Sequence, residues 1–208
     1  MSYLLAVDPG SATPGSACAL FREDSLWSAW FSQKHTEHVC VTDTPEQFLS
    51  AIPYEVREVV VERPEYHGAR SEQARIKDHQ DLAWSGAAVA YYYAGAASAP
   101  VFELTPTEWK GREPKPQQHA RMWDEVLTTA EQSLLTRLNS SWAQPKLKGT
   151  HIRDVIEQAL EKGARTRWSL SGAQCYPRGF KLHNVLDAVA LGCVYCGRMK
   201  GHGTYYGK

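Results

Sequence analysis

The chain reads as an α/β domain: a mixed sheet with helices on both faces, in three layers. Three observations predict this. Three short β-leaning segments come first, and strands then alternate with helices. "EVVVERP" (58–64) is a nearly continuous apolar run, the pattern of a central strand covered on both faces. The 208 residues are 43% apolar and 22% charged, which suffices for one domain with a full core and a modest insertion.

The elements follow in order. "YLLAVD" (3–8) is a first strand, ending at Asp8 and followed by the Gly/Pro/Ser turn "PGSATPGS". "ACALFRED" and "SLWSAWFSQ" are two more strands with a tight turn near Glu23–Ser25. "TDTPEQFLSAI" offers an N-cap at Asp43 or Thr44 and Pro45 in the first turn of an amphipathic helix. The strand at 58–64 ends its apolar run at Glu62, and a long helix is expected over 71–97, its second half small and apolar. "PVFELTP" (100–106) is a fifth strand, and a helical segment restarts around Trp109. The periodicity predicts one helix over 115–138 and another over 149–165. Residues 166–182 read as irregular, the last helix as His183 to Met199, and the end from about 201 as a flexible tail.

Composition excludes some functions. Lys plus Arg equal Asp plus Glu at 23 each, so a polyanion site must come from local clustering. The longest apolar stretches are too short or too interrupted for a bilayer. The start "MSYLLAVDPG" has no basic n-region or cleavage site, so the expected compartment is the cytoplasm, the host's if the gene is phage-borne. Cys193 and Cys196 form a CxxC inside an apolar helix with no second pair, which favours buried structural thiols over zinc.

"KLHNVLDAVALG" (181–192) poses the central question. Asp187 lies in an apolar helix, and a buried carboxylate requires compensation. Asp8 and Glu62 each end a strand. If those strands pair in parallel, both acids reach neighbouring carboxyl ends, where such sheets place ligands. The last helix brings Asp187 over the same edge. Divalent cations would relieve the repulsion among three carboxylates, and two of them about 4 Å apart can hydrolyse a phosphodiester. Taken singly, Asp8 reads as a turn residue, Glu62 as a local partner of Arg63 and His183 as a capping or core histidine. The combination points to an active site.

"LLAVDPGSATPGSACAL", "EVVVERPEYH", "ELTPTEWKG" and "HNVLDAVALG" resemble the successive motifs of the RuvC family of Holliday-junction resolvases, within the ribonuclease H-like superfamily. The resemblance spans the chain apart from a stretch near 139–180, which reads as an insertion in a single nuclease domain. It implies a ribonuclease H-like three-layer αβα fold with a five-stranded mixed sheet, and a crossover junction endodeoxyribonuclease. Two Mg²⁺ ions, replaceable by Mn²⁺, would sit in each active site. Asp8, Glu62 and Asp187 match the acidic ligands. At the fourth ligand position, three residues before the last Asp, this chain has Asn184, and His183 stands one residue earlier. His offers the better ligand atom. Lys110, Arg112 and Lys115 lie where the family has a basic loop facing DNA, and are the phosphate candidates. Tyr66, with His67 and Arg70, follows Glu62 where the family probes the junction centre. A homodimer on a four-way junction is the implied assembly. The other readings are a flap or branched-DNA nuclease, a junction-binding module without catalysis, and a sugar-kinase or actin-like ATPase. The last would need a second domain that 208 residues do not hold.

Overall fold

The protein is described by a computed structural model covering residues 3–10, 15–33, 37–40, 56–65, 72–142, 150–168 and 172–201. Among these residues are six strands: β1 (Tyr3–Asp8), β2 (Ser16–Arg22), β3 (Ser25–Gln33), β4 (Glu37–Cys40), β5 (Val56–Glu62) and β6 (Val101–Leu104). They form one mixed sheet in the order β4-β3-β2-β1-β5-β6. β1 to β4 run as an antiparallel meander, while β5 pairs in parallel with both β1 and β6. The five strands read from sequence are all present. β4 is an added edge strand that pairs with the end of β3. The β2–β3 turn falls at Glu23 and Asp24, both with positive φ (49° and 63°), which suits a two-residue hairpin.

The helices are α1 (Glu72–Ala97), α2 (Pro106–Trp109), α3 (Lys115–Arg121), α4 (Thr129–Trp142), α5 (Ile152–Arg165), α6 (Gly172–Cys175) and α7 (Leu182–Tyr195). Among the described residues, no helix is long and apolar enough to cross a membrane. The helix expected in "TDTPEQFLSAI" and the tail from 202 lie outside the described residues.

One helix expectation needs correction. Residues 115–138 do not form a single helix. α3 runs into a π-helical turn at Met122–Val126, and Leu127 is extended (φ −76°, ψ 131°) before α4 begins. The cause is a cap. The Thr128 hydroxyl accepts from the Glu131 amide at 3.3 Å, and Glu131 accepts from the Thr128 amide at 2.8 Å. This reciprocal Thr-x-x-Glu pair starts a new helix. The last helix ends at Tyr195, short of Met199, and residues 166–182 contain the short α6.

Strand alternation decides which side chains face which helix. Trp30 meets Tyr93 of α1 edge to face at 6.0 Å, which places α1 on the face carrying Trp30. Gly86 of α1 also lies against that face, where a Cβ would come within 2.6 Å of Pro9. Phe102 meets Tyr195 of α7 at 5.3 Å, so α7 covers the opposite face. Gly192 lets α7 approach closely, since a Cβ there would lie 2.1 Å from the Phe21 ring. α7 is buried all round: Leu182 and every residue from Val185 to Tyr195 are buried. An apolar helix of that kind is a core element rather than a surface one. Cys193 is a buried free thiol within it, while Cys196 lies just past its end and is half-buried, not inside the helix as expected.

Candidate active site

The register between β1 and β5 sets the site. Ala6 pairs with Val60 and Val7 with Val61, so Asp8 and Glu62 follow at the carboxyl ends of adjacent parallel strands. Val60 pairs with Phe102, which faces α7. Counting two residues on along each strand, Asp8 and Glu62 face α7 as well. Asp187 sits in the second turn of that helix, 3% exposed. The turn after Asp8 is tied down from both sides. The Gly10 amide donates to Ser16 Oγ at 3.2 Å, and Ser85 Oγ of α1 donates to the Gly10 carbonyl at 2.8 Å.

The three carboxylates have unequal partners. Asp187 pairs with the Lys115 ammonium through Oδ2 and with His119 Nε2 through Oδ1, the latter at 2.9 Å. Burial alone would raise its carboxyl. Lys115 and His119 outweigh burial and hold it well below the usual carboxylate range. Glu62 accepts from Trp109 Nε1 at 2.9 Å and from Lys110 Nζ at 3.3 Å. Trp109 reaches it because a capping box between Thr105 and Glu108 starts α2 directly after β6. Asp8 has no hydrogen bond or ion pair to its carboxylate among the described residues. Burial, then the charges of Asp187 and Glu62, push its carboxyl well above the ordinary range, and Lys115 and Lys110 only partly oppose them.

Lys110 reports the convergence. Burial would lower its ammonium, but Glu62, Asp187 and Asp8 together hold it above its usual value. One cation therefore senses all three acids.

His119 is a site residue that the sequence reading does not single out, and Tyr176, expected only as an aromatic near basic residues, is its partner. His119 is fully buried, with Tyr176 Oη 2.6 Å from Nδ1 and Asp187 on Nε2. Burial lowers its basicity more than Asp187 raises it, so the ring is held toward the neutral form. Neutral His119 with its proton on Nε2 donates to Asp187 and leaves Nδ1 to accept from tyrosine. The visible signal was a histidine in "KPQQHAR", a helix that looks solvent-facing by composition. Its burial comes from α5 and α7 packing around α3.

The remaining sequence candidates divide. His183 Nδ1 and Asn184 Oδ1 lie 3.1 Å and 3.5 Å from Lys115 Nζ, so both stand at the rim of the Asp187 pair. Burial and Lys115 depress His183 to about 3, leaving it neutral. Lys110 and Lys115 enter the site as partners of Glu62 and Asp187, while Arg112 is exposed beside them. Tyr66, His67 and Arg70 lie outside the described residues.

The donor chemistry suits a hard divalent cation. Three acids face two ammonium groups, and Asp8 is the acid left without a cation of its own among the described residues. Carboxylate oxygens are the donors Mg²⁺ prefers. Among the described residues, no group of three or more His, Cys, Asp or Glu is spaced to hold a metal as it stands. Lys110 and Lys115 lie on two of the three acids. In this structure Lys115 supplies the counter-charge that Asp187 demands, and neutral His119 adds a hydrogen bond.

No protein-family model matches the chain, and no curated protein matches it. Among solved structures, it is similar to Thermus thermophilus RuvC in complex with a Holliday-junction substrate. That likeness has 15% identity and a TM-score of 0.37, and covers 96% of this chain and 97% of that one. It is also similar to a second Thermus thermophilus RuvC structure, at 16% identity and a TM-score of 0.35, with the same coverage.

Proposed function

We propose that the chain is a metal-dependent endonuclease that hydrolyses phosphodiester bonds in branched DNA, with the four-way junction as substrate. The observation that carries this is the placement of Asp8 and Glu62 at the ends of adjacent parallel strands, on the sheet face covered by the helix that holds Asp187. The order of the four sequence motifs supports the choice of substrate. In this reading the whole chain is one nuclease domain, and the stretch 139–180 is an insertion. That stretch holds the end of α4, then α5 and α6, and α5 packs on α3.

Asp8, Glu62 and Asp187 would hold the divalent ions, with His183 or Asn184 as a further ligand. When bound, the ions would activate a water and stabilise the leaving oxygen. The chain's own groups do the rest. His119, fixed by Tyr176, orients the Asp187 carboxylate. Trp109 holds Glu62 in place. Lys110 and Lys115 keep positive charge next to the acids, where a phosphate would otherwise be repelled. Arg112 adds a phosphate contact from the surface. Comparing His183→Ala with Asn184→Ala identifies the fourth ligand: the variant whose Mg²⁺ requirement rises about tenfold or more marks it. If neither changes it, only the three acids bind.

The test is cleavage of labelled four-way, three-way, flap and linear DNA. Activity is expected with Mg²⁺ or Mn²⁺, binding without turnover with Ca²⁺, and none in EDTA. Equal cutting of flaps and junctions would shift the substrate to branched DNA at large. Undiminished cleavage in EDTA would remove the metal mechanism.

A homodimer making two symmetric nicks is part of this proposal. α1 buries Val89, Ala90, Tyr93 and Ala94 against the sheet, yet exposes Trp84 (75%), Tyr91 (57%) and Tyr92 (39%). Large exposed aromatics on one helix suit a subunit interface. Sedimentation at micromolar concentration is expected to give a dimer that Trp84→Ala weakens. A monomer at every concentration would refute the symmetric scheme.

A further inference from the structure

We propose that the pocket between α5 and the α6–α7 connection is a subsite for a nucleotide of the DNA strand next to the cleaved phosphate. This rests on the nuclease reading above and assigns it a second contact surface.

The pocket encloses about 490 Å³, within the size range of sites that take small ligands. Lys162, Arg178 and Lys181 line it, and no acidic residue does. Among the described residues, none of these three cations is paired with a carboxylate. Three exposed cations around one pocket with no acid lining it make a local positive field that favours an anionic ligand. Lys162 Nζ donates to the Gln174 carbonyl at 2.6 Å, which ties α5 to α6 and leaves further N–H groups for a ligand.

The wall is aromatic. Phe180, Tyr176 and His183 stack, with ring centroids 5.4 Å apart on either side of Tyr176 and planes within 22° and 23°. Phe180 and Tyr176 are buried at 2% and 3% exposure, and His183 is the half-buried ring. A positive rim beside a flat ring is the chemistry that holds phosphate and stacks a base or sugar. The same rings reach the acids. Tyr176 bonds His119, which bonds Asp187, and His183 lies 3.1 Å from Lys115, the ion-pair partner of Asp187. A strand whose phosphate lay at the carboxylates would have its neighbouring nucleotide within reach of this wall.

The experiment compares the wild type with a Lys162→Ala, Arg178→Ala, Lys181→Ala triple variant. All three side chains are exposed, so the fold should persist, as a melting curve will check. Affinity for a four-way junction in Ca²⁺ is measured across a salt series. The expected result is about tenfold weaker binding, and a salt slope shallower by roughly two to three, about 0.9 per lost phosphate contact. In parallel, 5-iodouracil is placed at each position around the nick mapped with Mg²⁺. The expected photo-adduct joins a nucleotide flanking the nick to the peptide 174–183. An unchanged affinity and slope, or an adduct elsewhere, overturns the pocket and leaves the nuclease reading intact. A wild type that binds no branched DNA overturns both.

Discussion

Asp8→Asn is expected to lower the cleavage rate by about 10³-fold, near 4 kcal/mol of barrier, while making the metal-free protein more stable. The two effects share one cause. Asp8 is buried between Asp187 and Glu62 without a cation of its own, which disfavours its charge in the fold. An amide of the same shape removes the repulsion and one anionic metal donor together. The sign with pH follows. In the unfolded chain Asp8 ionises near ~3.9. Its folded value is higher, so the unfolded state loses its proton first. Metal-free stability therefore falls as pH rises from that point through the folded value, and then levels. The variant should lack this fall and melt higher in EDTA at neutral pH, by about 2–4 °C for each kcal/mol recovered. Junction binding should survive, because phosphate contacts carry affinity. A variant that cuts within tenfold of wild type, or that melts lower in EDTA, would take Asp8 out of the role assigned to it.

Glu131→Ala is expected to destabilise the fold by about 3–5 kcal/mol, because it leaves a half-buried guanidinium unpaired. Arg198 grips Glu131 with two bonds, Nη1 to Oε1 at 2.7 Å and Nη2 to Oε2 at 2.8 Å. The same carboxylate accepts from the Leu26 amide at 2.6 Å and from the Thr128 amide at 2.8 Å. Arg198 also donates to the carbonyls of Asp24 and Val126. One ion pair thus joins the β2–β3 hairpin, the start of α4 and the segment after α7. Burial would raise the Glu131 carboxyl, but the bonds from Arg198, Thr128 and Leu26 outweigh it and pull it down to about 2. A lowered folded value means the stabilisation is present above the unfolded value, near ~4.3, and is lost as pH falls toward 2. Denaturant titration at pH 7 and at pH 3 tests this. Glu131→Ala should lose most of the difference between the two pH values, and a loss below about 1 kcal/mol at pH 7 would show that the network is not a keystone.

The sequence by itself determined five of the six described strands and most of the helices, with Asp8 and Glu62 at their strand ends and Asp187 inside the last helix. Those features are local. An apolar run that stops at an acid marks a strand end whatever surrounds it, and a long, nearly continuous apolar run marks α7 as a buried helix. The break before α4 was also local, since Thr128 and Glu131 form a capping box; the helical periodicity on either side masked it. β4 escaped because an edge strand is made by pairing with β3 more than by its own residues. What only the tertiary structure decided is the electrostatics of the site. Lys115 and His119 lie about seventy residues before Asp187 in the chain, and their effect on it depends on α3 packing against α7. The same packing buries His119 in a helix whose composition looks solvent-facing, and it leaves Asp8 as the acid without a partner among the described residues. Burial and charge proximity set the state of a carboxylate, and neither exists until distant segments meet.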